Sequence, residues 1–272
     1  MNTRSLRSAS TDTDTIQPAH LFKARVKENI KVSGRFYILK ATPETGFFVP
    51  APLPGQFFML GLDRRKDPLL KRPFCYFRVR DGALEILYRI VGKATFLMRE
   101  LREGDRVEVL GPLGNPYPLP GWGKHKKPLV VAGGVGIASV FPLLEALKGK
   151  AVLFYGGRSR DELVLTDELQ GMTSELHLAS DDGSAGFKGA VTDVLADYFK
   201  DKKKSDFIIY ACGPNGMLKA VCGMGLRGYI SSEEKMACGI GVCLGCAIKT
   251  RSGFKRTCKE GPVFDMDEVV FE

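Results

Sequence analysis

The sequence predicts a β + α/β chain in three blocks: an antiparallel β-barrel, a doubly wound parallel sheet, and a small cysteine-bearing C-terminal piece. Three observations carry this. Between residues 20 and 119, short apolar alternations recur between Gly, Pro and Asp turn signals. From Lys127 the pattern becomes continuous apolar strands separated by helical segments, as in a parallel sheet. From residue 229 to 272 no long periodic segment remains, yet four of the seven cysteines fall there. A piece that small needs a staple to hold its shape.

In the first block the predicted strands are 22–26, 36–40, 55–61, 75–80, 84–90 and 106–110, with one short helix over 95–103. In the second, strands are predicted at 128–132, 151–155, 176–180 and 207–211. A helix runs to Lys148 after the first of these, and further helical segments fall at 166–169 and 191–199. The expected domain limits are 19–119, 120–228 and 229–272. Residues 1–18, polar and almost without apolar side chains, are read as a disordered tail.

Composition bounds the function. With 272 residues, 44% hydrophobic and 26% charged, the chain has room for two cored domains and an appendage. The net charge of +9 is spread over separate runs, Arg64-Arg65-Lys66, Lys124-His125-Lys126-Lys127 and Lys202-Lys203-Lys204. No basic stripe with interleaved aromatics forms, so nucleic acid is not an expected partner. Anionic cofactors or an acidic partner suffice to use such a field. The longest uncharged stretch, 128–144, is broken by Gly133, Gly134, Gly136 and Pro142. It reads as strand, turn and helix, so no membrane span is expected. The N-terminal stretch lacks the apolar segment of a secretory signal, and a cytoplasmic location is expected.

The cysteines give the most specific signal. Cys238, Cys243, Cys246 and Cys258 form C-x4-C-x2-C-x11-C. The first three have the spacing that wraps thiolates around one side of a [2Fe–2S] cluster, with a distant fourth completing it. Gly239, Gly241 and Gly245 suit a backbone that curls tightly around an inorganic core. A zinc site would more usually pair two C-x2-C knuckles, and only one is present. A disulfide framework would require an oxidising compartment.

Two further constellations concern organic cofactors. Arg72-Pro73-Phe74-Cys75 lies on a predicted barrel strand. Gly92-Lys93-Ala94-Thr95 opens the short helix, and Gly111-Pro112-Leu113-Gly114-Asn115 follows. A fixed cation and small residues at a helix start suit a pyrophosphate, and Phe74 can pack along a flavin. Gly133-Gly134-Val135-Gly136 stands at a strand-to-helix junction, where glycines let dinucleotide phosphates approach backbone N–H groups. The acidic residue usual at the end of the second strand is absent, with Gly156-Gly157-Arg158-Ser159-Arg160 in its place. Arg158 and Arg160 could hold a 2′-phosphate or be loop cations, so these residues leave NAD(H) and NADP(H) both open. Cys212-Gly213-Pro214 follows the fourth strand, whose carboxyl end borders the ligand crevice.

Taken together, these residues resemble the ferredoxin-NADP reductase superfamily over residues 20–272. The resemblance implies an FAD-binding barrel carrying Arg72, Pro73, Phe74, Cys75, Gly92 and Thr95. It also implies a nicotinamide domain carrying Gly133, Gly134, Gly136 and Gly213, with Cys212 beside the nicotinamide and flavin as the catalytic residue. More narrowly, the chain resembles the electron-transfer subunits of the two-subunit, NAD-linked dihydroorotate dehydrogenases of B type. The carrying residues are Asp181-Asp182-Gly183-Ser184, Gly186, Gly189-Ala190-Val191-Thr192-Asp193, Ala237-Cys238-Gly239-Ile240-Gly241 and Cys258-Lys259-Glu260-Gly261-Pro262-Val263-Phe264. Only nine residues, 229–237, precede the first thiol, so the cluster is expected to lean on the reductase body.

This resemblance implies electron transfer between NAD(H) and an FMN-containing catalytic subunit through FAD and the cluster, in pyrimidine biosynthesis, within a heterotetramer. Two departures stand out. Position 75 is Cys where the superfamily usually has Ser or Thr, and Ala138-Ser139 replaces the Pro often found after the glycine turn. Two other readings share these blocks: the small subunit of a ferredoxin:NADP transhydrogenase, and a non-catalytic redox-sensing module.

Overall fold

The structure, a computed structural model, describes residues 18–44, 52–63, 67–119 and 126–271. The predicted disordered tail, apart from Pro18, and the Arg64-Arg65-Lys66 run lie outside these residues, as do Lys124 and His125 of the second basic run.

The first block is one antiparallel sheet. Its strands are β1 (His20–Ser33), β2 (Phe36–Pro43), β3 (Phe57–Leu62), β4 (Arg72–Cys75), β5 (Arg78–Arg80), β6 (Ala83–Arg89) and β7 (Arg106–Leu113), in the spatial order β4-β3-β7-β1-β2-β6-β5. Alternation sets the faces. Phe22, Ala24 and Val26 of β1 are buried and meet Leu39, Ala41, Leu84, Ile86, Val107 and Val109 in one core. The sheet rolls enough for Phe74 of β4 to meet Tyr88 of β6 edge-on, with ring centroids 6.4 Å apart. Helix α1 (Lys93–Arg99) closes one end and buries Met98.

Two expected elements differ from this arrangement. The predicted strand 75–80 is split into β4 and β5 because Tyr76 and Phe77, both buried, serve different cores. Tyr76 packs inside the barrel, whereas Phe77 crosses to Phe141 of the second block, with centroids 4.6 Å apart. The helix begins two residues before Thr95. The Thr95 hydroxyl accepts the backbone N–H groups of Val91 and Gly92, at 2.9 and 3.1 Å, and so caps the helix from its first turn.

The second block contains β8 (Lys127–Gly133), a 3-10 turn (Gly134–Gly136), α2 (Ile137–Leu147), β9 (Val152–Gly157), a second 3-10 turn (Arg160–Glu162) and α3 (Thr166–Met172). It continues through β10 (Glu175–Ser180), β11 (Phe187–Lys188), α4 (Val191–Tyr198), β12 (Phe207–Cys212), α5 (Asn215–Gly223) and β13 (Gly228–Ser231). The sheet order is β11-β10-β9-β8-β12-β13-β16, parallel except for β16 (Val263–Asp265), which runs antiparallel to β13. The chain's last strand thus completes the nucleotide-type sheet, and Tyr229–Ser231 belong to that sheet too. Between them lies a hairpin, β14 (Ala247–Thr250) with β15 (Gly253–Arg256).

The two sheets share a core. Phe36, Phe77, Leu87 and Tyr117 of the barrel block pack with Val140, Phe141 and Leu144 of α2 and with Tyr155 and Tyr210. Arg78 lies between the rings of Phe77 and Phe141, 4.2 and 4.3 Å from their centroids, and pairs with Glu85 and Glu168. Tyr210 donates its hydroxyl to Pro118 O at 2.8 Å. Among the described residues no helix is long and apolar enough to cross a membrane.

Candidate functional site

Strand order reverses at β8, with β9 on one side and β12 on the other. This is the switch point where open α/β sheets bind ligands. The Gly133–Gly136 turn and Cys212-Gly213-Pro214 meet there. A Cβ on Gly136 would lie 2.3 Å from Cys212 O, and one on Gly133 would lie 2.7 Å from Pro214 Cδ. These two glycines are therefore required by chain-on-chain approach, a reason the sequence assigned to phosphates. Gly134 differs. Its φ is +52°, and within 4 Å an added Cβ would meet only Glu162 Oε2, at 3.8 Å, among the described residues, so close chain-on-chain approach does not account for it.

On the barrel side, β4 is an edge strand paired with β3, in the register Phe57↔Cys75 and Met59↔Pro73. Phe74 lies 6.2 Å from Phe58, ring to ring. The Arg72 guanidinium donates to the carbonyls of Leu70 and Lys71 at 2.7 and 3.4 Å and has no carboxylate partner among the described residues. An uncompensated cation on this edge suits an anion. The Thr95 hydroxyl bonds within the turn itself: besides its two acceptor roles it donates to Gly92 O at 3.0 Å. Beside Gly92 opens a surface basin of about 570 Å³ walled by Tyr37, Phe96, Lys31, Arg35, Lys93 and Arg99.

Between the two sides lies a group the sequence did not bring together. Cys75, Cys212, Ser139, Tyr117, Ser231 and Glu233 form one neighbourhood. Burial, with the nearby Glu233 charge, pushes the Cys75 thiol up to about 12 against the opposing influence of Ser139. Burial and the same carboxylate hold the Cys212 thiol well above its ordinary value. Both are neutral thiols at pH 7, able to pack and to donate weakly but not to act as nucleophiles. The Ser139 hydroxyl, 1% exposed and without a hydrogen-bond partner among the described residues, lies in the neighbourhood of both thiols. Glu233 is exposed to solvent, yet the protein around its carboxyl desolvates it. That desolvation raises its carboxyl, and Arg89 opposes the rise. A thiol pair, an unpartnered hydroxyl and a carboxyl around an open cleft fit the reactive edge of a flavin meeting a nicotinamide.

The four-cysteine loop folds back on the barrel. Gly239 has φ +71°, and a Cβ there would lie 2.5 Å from Met59 Cγ and 2.9 Å from its Sδ. Phe57, Met59, Leu113, Met236, Cys246 and Cys258 share one small core. The thiols fall in neighbouring pairs, Cys238 with Cys243 and Cys246 with Cys258. Among the described residues no three potential ligands gather as a single-ion site requires. Desolvation works to raise Cys238, but the N–H groups of Cys243, Ile240 and Val242 outweigh it and bring the thiol to about 6. Gly241 N donates to Cys258 Sγ at 3.1 Å. Sulfurs in two pairs under converging N–H groups fit a two-iron cluster.

Arg256 fixes the loop's end. It binds the Glu260 carboxylate through its guanidinium and its own N–H, and donates Nη1 to Gly241 O at 2.7 Å. Gly114-Asn115, read from sequence as part of a flavin signal, docks the C-terminal segment. Asn115 N donates to Gly261 O at 2.7 Å, and its side-chain amide donates to Glu260 O at 2.8 Å.

Comparisons with known proteins agree with this geometry. Residues 233–270 match a family described as the iron–sulfur cluster binding domain of dihydroorotate dehydrogenase B, and residues 130–223 match the oxidoreductase NAD-binding domain. The chain is 38% identical over 253 residues to a dihydroorotate dehydrogenase B (NAD+) electron transfer subunit homolog of Aquifex aeolicus, covering 91% of this chain and 97% of that one. It is 39% identical over 252 residues to the electron transfer subunit of Clostridium acetobutylicum, covering 90% and 96%. Among solved structures, that of an NADH-dependent reduced ferredoxin-NADP oxidoreductase, described for flavin-based electron bifurcation, superposes with a TM-score of 0.80 at 28% identity, covering 91% and 89%. A ferredoxin reductase of carbazole 1,9a-dioxygenase, at 23% identity and a TM-score of 0.65, shares the fold.

Proposed function

The chain belongs to the family of dihydroorotate dehydrogenase B electron transfer subunits, and on that premise we propose that it carries electrons between NAD(H) and an FMN-containing catalytic subunit of dihydroorotate dehydrogenase, within a cytoplasmic heterotetramer serving pyrimidine biosynthesis. The observation that carries the reading is one of adjacency. Gly239 of the thiol loop rests on Met59 of β3, and Met59 is the register partner of Pro73 in the Arg72–Cys75 motif. The proposed metal and flavin sites are one strand apart.

In this reading residues 19–119 hold FAD. Arg72 and the backbone at Gly92 meet the pyrophosphate, the basin walled by Tyr37 and Phe96 receives the adenosine end, and Pro73, Phe74 and Cys75 line the ring. Thr95 shapes that backbone without touching the ligand. Residues 120–228 hold NAD(H) at Gly133, Gly134, Gly136 and Gly213, and residues 229–272 hold the cluster on Cys238, Cys243, Cys246 and Cys258. FAD, when bound, accepts a hydride from a nicotinamide and releases electrons one at a time, which the cluster passes on singly. The protein's own contribution is positional. Cys212 and Cys75 stay neutral and buried where the two rings would meet, Ser139 packs beside them, and Glu233 adds a carboxyl that desolvation raises. The thiol loop is exposed at Cys243, beside Ile240, Val242 and Leu244, which are 49, 75 and 62% exposed, and this is the face toward which a cluster held there would pass electrons. An apolar rim of this kind suits a protein partner.

The test is an optical and electron-paramagnetic-resonance spectrum of the anaerobically purified chain before and after NADH, followed by addition of the FMN subunit and dihydroorotate. Flavin bleaching, a reduced-cluster signal lost in Cys258→Ser, and dihydroorotate-dependent NAD+ reduction are expected. Absence of flavin, or zinc in place of iron and acid-labile sulfide, refutes the proposal. The likeness to the ferredoxin-NADP oxidoreductase favours a second reading with a ferredoxin-type partner. Failure of dihydroorotate to reduce NAD+ through an otherwise active chain selects it.

A further inference from the structure

We propose that Ser139 is a positioning residue for the flavin's reactive edge: its buried hydroxyl takes the Cys75 sulfur as partner when the ring is seated and turns the thiol proton toward it. The inference rests on the FAD reading above and deepens it. Ser139 is the third residue of α2. A serine in a helix ordinarily meets water or bonds a carbonyl one turn back. This one is 1% exposed, and its Oγ has no hydrogen-bond partner among the described residues. Buried hydroxyls without a partner are rare enough to need a reason. The only other one among the described residues is that of Thr257, next to Cys258 in the thiol loop.

The fold limits what this hydroxyl can reach. Gly136 stands three residues earlier, on the same side of the helix start. A Cβ there would lie 2.3 Å from Cys212 O and 3.0 Å from Gly213 Cα, so this side of α2 faces the end of β12. The chain neighbours of Ser139, Ala138 and Val140, share one core with Cys212, Tyr117 and the half-buried Cys75. Ser139 opposes the burial-driven rise of both thiols and of the Tyr117 phenol, the sign of a donor directed at each.

Of these three groups, Cys75 is the one that can meet a ligand. Tyr117 directs its hydroxyl at Ala211 O, 3.5 Å away, and Ser231 acts on both Tyr117 and Cys212. Cys212 is wholly buried. On Cys75 no hydroxyl acts but that of Ser139, and the residue is partly exposed on the edge strand β4, beside Phe74. A thiol is weak both as donor and as acceptor, so its proton is poorly directed when left alone. An O–H donated to the sulfur occupies a lone pair and strengthens the S–H as a donor on the other side. A donor so aimed favours the electron-rich reduced ring over the oxidised one. Positions 75 and 139 are also the two at which the sequence departs from its superfamily, and the fold brings them together from two blocks of the chain.

The experiment uses the flavin-loaded chain in complex with its partner and reads flavin content, visible spectrum and FAD reduction potential against a reference dye. Ser139→Ala is expected to keep its flavin and to move the equilibrium between oxidised and reduced FAD about threefold toward the oxidised form, a fall of about 15 mV for a two-electron couple. Ser139→Cys, which keeps the volume but weakens the donor, is expected to move it in the same direction by less, and it carries the test should the alanine variant fail to fold. The same Ser139→Ala change is expected to do nothing further in a Cys75→Ala background and to act in full in a Cys212→Ala background. A merely structural role would lower the unfolding midpoint and leave the potential alone. Flavin-loaded Ser139→Ala and Ser139→Cys with unchanged potential and spectrum overturn the inference, as does a shift that persists without the Cys75 thiol or vanishes only without that of Cys212; in each case the FAD reading stands. A wild-type chain that purifies without flavin and takes none up overturns both.

Discussion

Gly239 is the position at which one added carbon should do the most damage to the thiol loop. Gly239→Ala meets two independent obstacles. At φ +71° an L side chain costs about 1–2 kcal/mol. The new Cβ would also lie 2.5 Å from Met59 Cγ, and pushing Met59 out of a core shared with Cys246 and Cys258 adds about 1–3 kcal/mol. Together they amount to about 2–5 kcal/mol, concentrated on the segment that holds the thiols. Iron and acid-labile sulfide per flavin, with denaturant unfolding followed through cluster absorbance, measure it. Iron per flavin should fall while flavin content is retained, because the Arg72–Cys75 edge is untouched. The two obstacles can be separated. Met59→Ala makes room for the new carbon, so the double variant M59A/G239A should recover the steric part, a coupling of about 1–3 kcal/mol, and keep the backbone part. Full iron content and an unchanged midpoint in Gly239→Ala would refute the idea that the loop is pinned to β3. An absent coupling would refute the contact with Met59.

Three other perturbations test the rest of the site. Cys75→Ser should retain flavin and shift its reduction potential modestly; an unaltered potential and spectrum would remove Cys75 from the ring's neighbourhood. Arg78→Ala should destabilise the chain by about 2–4 kcal/mol in urea, because it empties the slot between Phe77 and Phe141 and leaves Glu85 unpaired, and a loss below about 0.5 kcal/mol would show the pairing to be idle. The Glu260 carboxyl is depressed to about 2, first by its bonds to Arg256. A depressed carboxylate stabilises the fold above its unfolded value of about 4.3 and loses that contribution as pH falls toward 2. Cluster retention in wild type should therefore fall more steeply between pH 5 and 2 than in Glu260→Gln, and parallel curves would contradict the clamp.

How far the sequence revealed this arrangement depended on distance along the chain. Phe22, Ala24 and Val26 announce a barrel strand because alternation is local, and the thiol spacing is legible because three ligands lie within nine residues, 238–246. The split at Tyr76-Phe77 was hidden because both residues are apolar and only the fold shows that they point into different cores. Glu233, Arg89 and Ser139 carry no motif, and their proximity is created by two sheets meeting. A buried serine directly after an alanine in an otherwise apolar helix start was the one available hint. The docking of Gly114-Asn115 on the C-terminal segment was not legible, because a Gly-rich turn signals close approach without saying to what.

The antiparallel pairing of β16 on β13 has an effect on how the molecule must be assembled. Without it, β13 would present a bare hydrogen-bonding edge, the kind of surface on which chains stick to one another. The residues that cover it come after all four thiols, and the Asn115 side chain grips Glu260 across 145 positions of sequence. The metal-bearing loop is thus enclosed between an early segment and the final one, like a page held between two covers. It cannot take this shape until Val263–Asp265 has been made, so a chain cut short before Val263 is expected to lose the shape of the thiol loop and to expose the edge of β13.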